Sequence, residues 1–314
     1  MSQPSAGPDG GPDDASVRRG ILAGVTAFTA WGLLTLYWKQ LVAFDPFELV
    51  GWRIVSASAI MLVVVSVTRR WARLRSVLRD RALLLRVLFA ALLLALNWTT
   101  YVWAVVNGHV LDTALGYFLG PLGTIAIGVL AFGEPLRRLQ RIAVAMATAA
   151  VVVLTVGYGR FPAVAVALAT SWMLYGVLKK QVPLSPVESM AAEAFVLVVP
   201  AIIVVTALAG RSDSVPSSAS TLDGLLVAVT GVATVIPLML FAYAALRVPL
   251  TLIGPMQYLI PTINFLIGWL VYHEEMVTLR WVGFLLVWMA LALITVDTVR
   301  TQRFRGLSTV VTAA

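Results

Sequence analysis

The sequence predicts an all-α membrane protein of ten transmembrane helices arranged as two inverted five-helix repeats. Three observations carry this. The 314 residues are 60 % hydrophobic and only 12 % charged, against about 25 % charged in an ordinary soluble domain. Ten apolar runs are each near the roughly 20 residues that cross a hydrocarbon core of about 30 Å. Finally, the chain resembles itself when shifted by 140 residues. Lipid offers no partner to an open backbone, so the runs are read as helices.

Residues 1–17 are rich in Gly, Pro, Ser and Asp and are expected to form a disordered cytoplasmic tail. Arg18 and Arg19 precede the first apolar run, which is too long for the core of an export signal. The expected spans are 20–38, 47–68, 83–106, 113–132, 138–156, 161–178, 186–208, 222–246, 249–271 and 278–297, with a cytoplasmic tail over 298–314. An N-terminus on the cytoplasmic side puts 18 of the Lys and Arg residues inside and leaves four, Lys39, Arg160, Arg211 and Arg280, outside. Arg53 falls within the second span. That asymmetry predicts both termini in the cytoplasm and a multi-pass inner (plasma) membrane protein. It also accounts for the net charge of +8 without any nucleic-acid partner; the partners expected are membrane lipid and a small organic solute.

The 140-residue offset aligns Lys39 with Lys179, Pro46 with Pro186, Glu48 with Glu188, Ala104 with Ala244, Pro121 with Pro261, Gly128 with Gly268, Glu134 with Glu274, and Thr155-Val156 with Thr295-Val296. The repeats are bounded as 18–157 and 158–297. Five is odd, so the second repeat enters the membrane inverted, the symmetry of many secondary transporters.

Cysteine is absent, which excludes disulfides, iron–sulfur clusters and thiolate metal sites, and two histidines, His109 and His273, are too few for most metal centres. No cofactor or metal is expected. Arg53 lies roughly 10 Å below the outer boundary, where a guanidinium costs at least about 2.5 kcal/mol unless it faces a partner or water. Its planar donor fork suits an anionic substrate group. The repeat mate of Arg53 is Glu193, roughly 10 Å from the inner boundary and too far from Arg53 for a salt bridge. A carboxylate in a dry site takes up a proton readily, so Glu193 is the candidate for proton coupling. Lys39, on the outer side against the charge rule, is a second electrostatic handle for substrate, whereas Lys179 beside Lys180 reads as a positive-inside anchor.

Asn97, Trp98, Tyr101, Tyr117, Tyr175, Tyr243, Gln257 and Tyr258 are candidate substrate-binding residues, the aromatic ones lining an amphipathic cavity by stacking and cation–π contact. Trp38 and Trp103, near helix ends, read equally as members of that aromatic lining or as interface-belt residues. Gly120, Pro121, Gly254, Pro255 and Pro261 interrupt apolar spans and are candidate hinges. Glu134 and Glu274, in polar turns, read as helix caps.

The stretch Asn97-Trp98, Trp103-Ala104-Val105, Asn107-Gly108-His109, Leu111-Asp112, Leu115-Gly116-Tyr117-Phe118 and Pro121-Leu122 resembles the RarD branch of the EamA-type drug/metabolite transporters. So do Tyr37-Trp38-Lys39, Trp52-Arg53-Ile54, Leu174-Tyr175-Gly176, Ile253-Gly254, Gln257-Tyr258 and Pro261-Thr262. The resemblance implies ten helices in two EamA repeats and a plasma-membrane permease, in a family named from a chloramphenicol-sensitivity phenotype. Two departures stand out: Trp52 where a histidine commonly precedes the arginine, and Gly120 where an asparagine commonly precedes the proline. The expected function is alternating-access permeation of a small organic metabolite or drug-like solute. The competing readings are a receptor or assembly partner that does not transport, and a membrane-embedded enzyme, for which Asn107, His109 and Asp112 are the only hint.

Overall fold

The computed structural model describes residues 14–132, 137–159, 161–179, 181–248 and 250–312. Glu134, Arg160, Lys180 and the first 13 residues of the expected tail lie outside the described residues. Every regular element among those described is helical: α1 Asp14–Lys39, α2 Pro46–Val67, α3 Trp71–Arg79, α4 Arg81–Val106, α5 Val110–Phe132, α6 Arg138–Tyr158, α7 Ala163–Lys179, α8 Pro186–Leu208, α9 Val215–Ser218, α10 Thr221–Ala245, α11 Leu250–Met256, α12 Leu259–Leu266 running into a π-helical turn at Ile267–Val271, and α13 Thr278–Thr312. Seven helices among the described residues are long and apolar enough to cross a membrane, and α7 is a shorter apolar helix. Large side chains such as Val63, Phe89, Val152, Val199, Ile203 and Leu225 are more than half exposed, a surface suited to hydrocarbon and not to water.

The helix starts follow from local chemistry. The Asp45 carboxylate accepts from the Phe47 amide, and Pro46 opens α2 where no backbone donor is needed. Asp80 accepts from the amides of Ala82 and Leu83 to start α4. Ser185 with Glu188, and Ser220 with Asp223, form capping boxes on α8 and α10.

Four features depart from the sequence reading. The helix α1 begins at Asp14, so the last residues of the expected disordered tail are helical. The polar stretch after α2 holds α3, which buries Leu74 and Val77 and leaves Arg73, Arg75 and Arg79 exposed. The expected tail over 298–314 continues α13 as helix to Thr312. The expected single span 249–271 is broken: α11 ends at Met256 and α12 restarts at Leu259. Pro255 cannot donate to the ladder, and the amides of Gln257 and Tyr258 form tighter turns to Gly254 and Pro255 carbonyls. Pro261 lies in the first turn of α12, where its missing N–H costs nothing, while Pro121 sits inside continuous α5.

The bundle packs α6 against α13, α2 against α8 and α10, α7 against α4 and α5, α1 against α10 and α12, and α12 against α5. Small residues permit the closest approaches. A Cβ on Gly116 would stand 2.9 Å from the Ala165 carbonyl oxygen, so of the Gly116/Gly120 pair it is Gly116 that admits α7. A Cβ on Gly231 would fall 2.5 Å from the Ser56 carbonyl carbon and 2.6 Å from the Ala57 nitrogen, so α10 meets the backbone of α2 there. Gly231→Val is therefore expected to destabilise the protein by about 1–3 kcal/mol through overpacking, read as a lower melting temperature in detergent, whereas Gly224→Ala, in open space, leaves it unchanged.

Candidate functional site

The site is built from the first turns of α2 outward. Glu48 is fully buried and accepts from the Val215 amide at 3.1 Å with both oxygens, and from the Trp52 indole at 3.3 Å. This fixes the start of α2 against α9. Arg53 follows in the next turns, only 3 % exposed. Its Nε donates to Thr234 Oγ1 at 2.8 Å, and Thr234 in turn donates to the Thr230 carbonyl. The guanidinium carbon stands 4.1 Å from the centre of the Trp98 ring and 5.6 Å from that of Trp38. Tyr37, Tyr101 and Tyr117 are close enough to interact with its charge. Among the described residues no carboxylate pairs with Arg53.

Of the two readings open for Trp38, the structure favours the lining: it is 1 % exposed and packs in one cluster with Leu41 and Phe44 of the turns that follow α1, beside Arg53.

Two hydrogen-bonded networks hold this wall. Thr35 gives its single proton to Asn264 Oδ1 at 2.8 Å, so Tyr101, also 2.8 Å away, donates to Thr35. Asn264 donates to Thr113 at 3.3 Å. The chain joins α4, α1, α12 and α5. Asn97 donates to the Leu168 carbonyl and to Ser171 and accepts from Tyr117, joining α4, α7 and α5. Asn97 thus has internal partners for both ends of its amide.

Glu193 lies toward the other end of the bundle, 2 % exposed. It is paired with Lys179 at 2.7 Å and accepts from Ser189 and Tyr175, each at 3.1 Å. Lys179 also donates to Ser189 and lies over the Tyr175 ring. Lys179 is therefore turned into the bundle and is not a simple surface anchor, because Glu193 is a nearby unhydrated carboxylate. The rings of Tyr101, Tyr117, Trp172 and Tyr175 run in successive contact, 5.9, 6.5 and 5.7 Å between centres, from the surroundings of Arg53 to Glu193. Trp98 and Glu193 line one narrow cleft with Ile54, Leu94, Met190 and Leu197.

The structure thus brings together Arg53, Asn97, Trp98, Tyr101, Tyr117, Tyr175 and Glu193. It does not bring the other predicted residues to them. Lys39 lies over the Tyr272 ring at 4.9 Å. Tyr243 is under the Arg247 guanidinium at the end of α10. Gln257 is exposed in the break between α11 and α12, and Tyr258 packs against the α5, α6 and α13 core. Of the candidate hinges, Gly120 is buried in α5, and Gly254 and Pro255 lie in α11 next to the break. Thr35, Trp38, Thr234 and Trp172 were missed by sequence reasoning; threonine in an apolar run carries no signal of its own.

A separate polar cleft of about 350 Å³ opens between Gly108, His109, Asp112, His273, Glu274, Glu275 and Arg280. His109 Nδ1 is 3.7 Å from Asp112. Among the described residues no group of three or more potential ligands is arranged to hold a metal. Glu274 caps a helix, as the sequence suggested, but not its own: it accepts from the amides of Val110 and Leu111 at the start of α5, at 2.6 and 2.9 Å. The left-handed backbone of His273, φ 51°, turns the loop toward α5.

The profile of the EamA-like transporter family matches residues 18–156 and 162–296. The chain belongs to this family. Protein RarD of Streptomyces exfoliatus is 42 % identical, over 91 % of each chain, and Protein RarD of Escherichia coli (strain K12) is 32 % identical, over 93 % of this chain and 98 % of the relative. An uncharacterized transporter of Bacillus subtilis (strain 168), YojE, is 35 % identical over 92 % and 97 %. Within the EamA-like family the chain therefore falls in the RarD branch, and it is a multi-pass membrane protein. A crystal structure 20 % identical in sequence superposes with a TM-score of 0.55 over 88 % of this chain and 97 % of the other, so the EamA-like chain shares its fold.

Burial raises the Glu274 carboxyl above the ordinary value of 4.5, the amides of Leu111 and Val110 lower it, Asp112 raises it and Lys39 lowers it, with a net upward shift. A raised folded-state value favours the protonated form in the native state, so the stability it contributes is complete below pH 4.5 and is lost as pH rises through the folded value. Melting temperature should therefore fall with rising pH in the window just above 4.5, and Glu274→Gln should flatten that slope. Identical slopes in the two proteins would remove Glu274 as the responsible group.

Proposed function

We propose that the chain is a secondary transporter that carries a small organic solute across the membrane by alternating access between two inverted five-helix repeats, residues 18–157 and 158–297. In this reading it crosses the membrane ten times with both termini in the cytoplasm. The observation that carries it is the pair Arg53 and Glu193: positions 140 apart, opposite in charge, both buried, with a run of aromatic rings between their surroundings and a cleft that Glu193 shares with Trp98, the ring over which Arg53 lies. The helix pairings support the same symmetry. Under the offset, α1 against α10 becomes α7 against α4, and α5 against α7 becomes α12 against α1. Relatives that carry the word transporter in their names favour transport over a receptor or an enzyme.

Proton coupling is assigned to Glu193 together with Lys179. Protonating Glu193 removes the charge that holds Lys179 at 2.7 Å, freeing a cation toward the solute path. The break at Gln257 and Tyr258 and the prolines at 121 and 255 supply the points of bending.

The test is uptake from a mixed metabolite pool into proteoliposomes, read by mass spectrometry, with and without a pH gradient. The expected result is accumulation of a defined solute that collapses with the gradient. Arg53→Ala should reduce flux by at least about tenfold, the worth of one charge-assisted contact, and Glu193→Gln should keep downhill exchange while losing its response to pH. Flux indifferent to pH would remove Glu193 and Lys179 from coupling; no flux above empty liposomes for any solute would overturn the transporter reading.

A further inference from the structure

Arg53 is surrounded by donors and aromatic faces but by no acceptor of matching charge. A guanidinium offers five N–H donors; among the described residues the one hydrogen bond it makes is from Nε to Thr234. The donors on its two terminal nitrogens have no protein acceptor. The indole Nε1 of Trp38 is likewise buried with no hydrogen-bond partner, on the ring whose centre is 5.6 Å from the Arg53 guanidinium. The buried indole N–H beside a guanidinium whose terminal nitrogens bond to no protein group calls for an acceptor, since leaving a buried donor unmade costs about 1–3 kcal/mol.

The neighbouring carboxylates are engaged elsewhere. Glu193 is held by Lys179, Ser189 and Tyr175. Glu48 is held by the Val215 amide and Trp52, and Asp45 by Arg211 and the Phe47 amide. The missing acceptor therefore comes from outside the chain. One uncompensated cation is balanced by one negative charge, and a planar fork of donors is matched bidentately by a carboxylate. The faces of Trp98, Trp38, Tyr101 and Tyr117 around it favour a flat ring as the body of the ligand. Among the described residues these three neighbouring carboxylates each have protein partners, so none of them is free to receive a substrate ammonium.

We infer that Arg53 and Trp38 bind the carboxylate of an aromatic monocarboxylate without an amino group. This rests on the transporter reading for its meaning in the cell and deepens it by naming the solute class. The cleft between α2, α4 and α8 reaches Trp98, the ring over which the Arg53 guanidinium lies.

The experiment is equilibrium binding of tritiated 2-naphthoate to the purified full chain in detergent. Competitors are 2-naphthamide, naphthyl phosphate, naphthylalanine and naphthylmethylamine, which vary charge on a constant ring. Saturable binding of the acid is expected, with the neutral amide, the zwitterion and the amine each at least about tenfold weaker. Arg53→Ala should abolish binding. Trp38→Phe keeps the ring and removes only the N–H, and should weaken the acid about tenfold without weakening the amide. Equal affinity of acid and amide, or an acid affinity unchanged by Trp38→Phe in a protein with native melting temperature, would overturn the inference, as would a preference for the zwitterion or the phosphate. Binding is read without a membrane, so the two proposals fail separately. Naphthoate bound with no flux of any solute across liposomes would overturn transport and keep the anion site; flux of another solute class with no naphthoate binding would keep transport and overturn the site.

Discussion

In hydrocarbon a polar group has no solvent except the rest of the chain, and the arrangement of this bundle follows from that constraint. It makes every regular element a helix. It folds serine and threonine hydroxyls back onto carbonyls one turn earlier, as in Ser58, Thr148, Thr155, Thr206 and Thr295. It also gathers the polar side chains that cannot bond within their own helix into networks between helices. The run Tyr101, Thr35, Asn264, Thr113 ties four helices through side chains that would each be a liability alone. An interhelical hydrogen bond of this kind contributes about 0.6 kcal/mol on average, so the networks decide which helices neighbour one another more than how stable the bundle is. Where nearly every buried polar atom is satisfied, the unbonded indole nitrogen of Trp38 becomes informative, and its ring lies beside Arg53.

The two halves answer the same positions with opposite charges, and this explains a difference between equivalent lysines. Lys179 turns inward because Glu193, fourteen residues on, is an anion in need of a partner. Lys39 occupies the equivalent position in the first half, but there the residue fourteen on is Arg53. A lysine turned inward would meet a like charge in a medium that screens poorly. Lys39 instead lies over Tyr272 near the Glu274 carboxylate. Positions 39 and 179 thus carry the same cation while positions 53 and 193 carry opposite charges, so Lys179 is neutralised by Glu193 and, among the described residues, Arg53 has no carboxylate beside it.

Much of the bundle was legible in the sequence, because the cost of placing a residue in lipid is largely a property of that residue alone. The apolar runs, the intramembrane Arg53 and Glu193, and the polar or aromatic Asn97, Trp98, Tyr101, Tyr117 and Tyr175 all stood out on that ground. What was not legible depends on partners. Trp38 sits at a helix end, where an indole ordinarily meets the interface, and only the tertiary cover of the outer turns shows it to be buried. Lys179 satisfies the charge rule equally well as an anchor or as half of an ion pair. Thr35 and Thr234 have hydropathies near neutral and no sequence signal until Asn264 and Arg53 are placed beside them. The break between α11 and α12 was half legible: Gly254 and Pro255 mark an interruption in the span, but only the turn bonds of the Gln257 and Tyr258 amides show that the helix ends and restarts there.

The carboxylates at the ends of the bundle bear on how the halves can move. On one face Glu48 and Glu274 each bond directly to backbone amides of a distant segment, Val215 in one case and Val110 and Leu111 in the other. Such bonds are charge-assisted and are worth about 1.5–3 kcal/mol each; those of Glu48 are buried, and those of Glu274 border the polar cleft. On the opposite face the ties are ion pairs whose cations are partly exposed, Arg70 with Glu188 and Arg137 with Asp297. Pairs of that kind contribute about 0–1 kcal/mol, since water replaces each partner at little cost. The two faces are thus tied differently: the first by carboxylates that bond backbone amides, which cannot move apart from the segments they hold, and the second by side-chain pairs whose cations reach water, which can exchange partners without unfolding either helix.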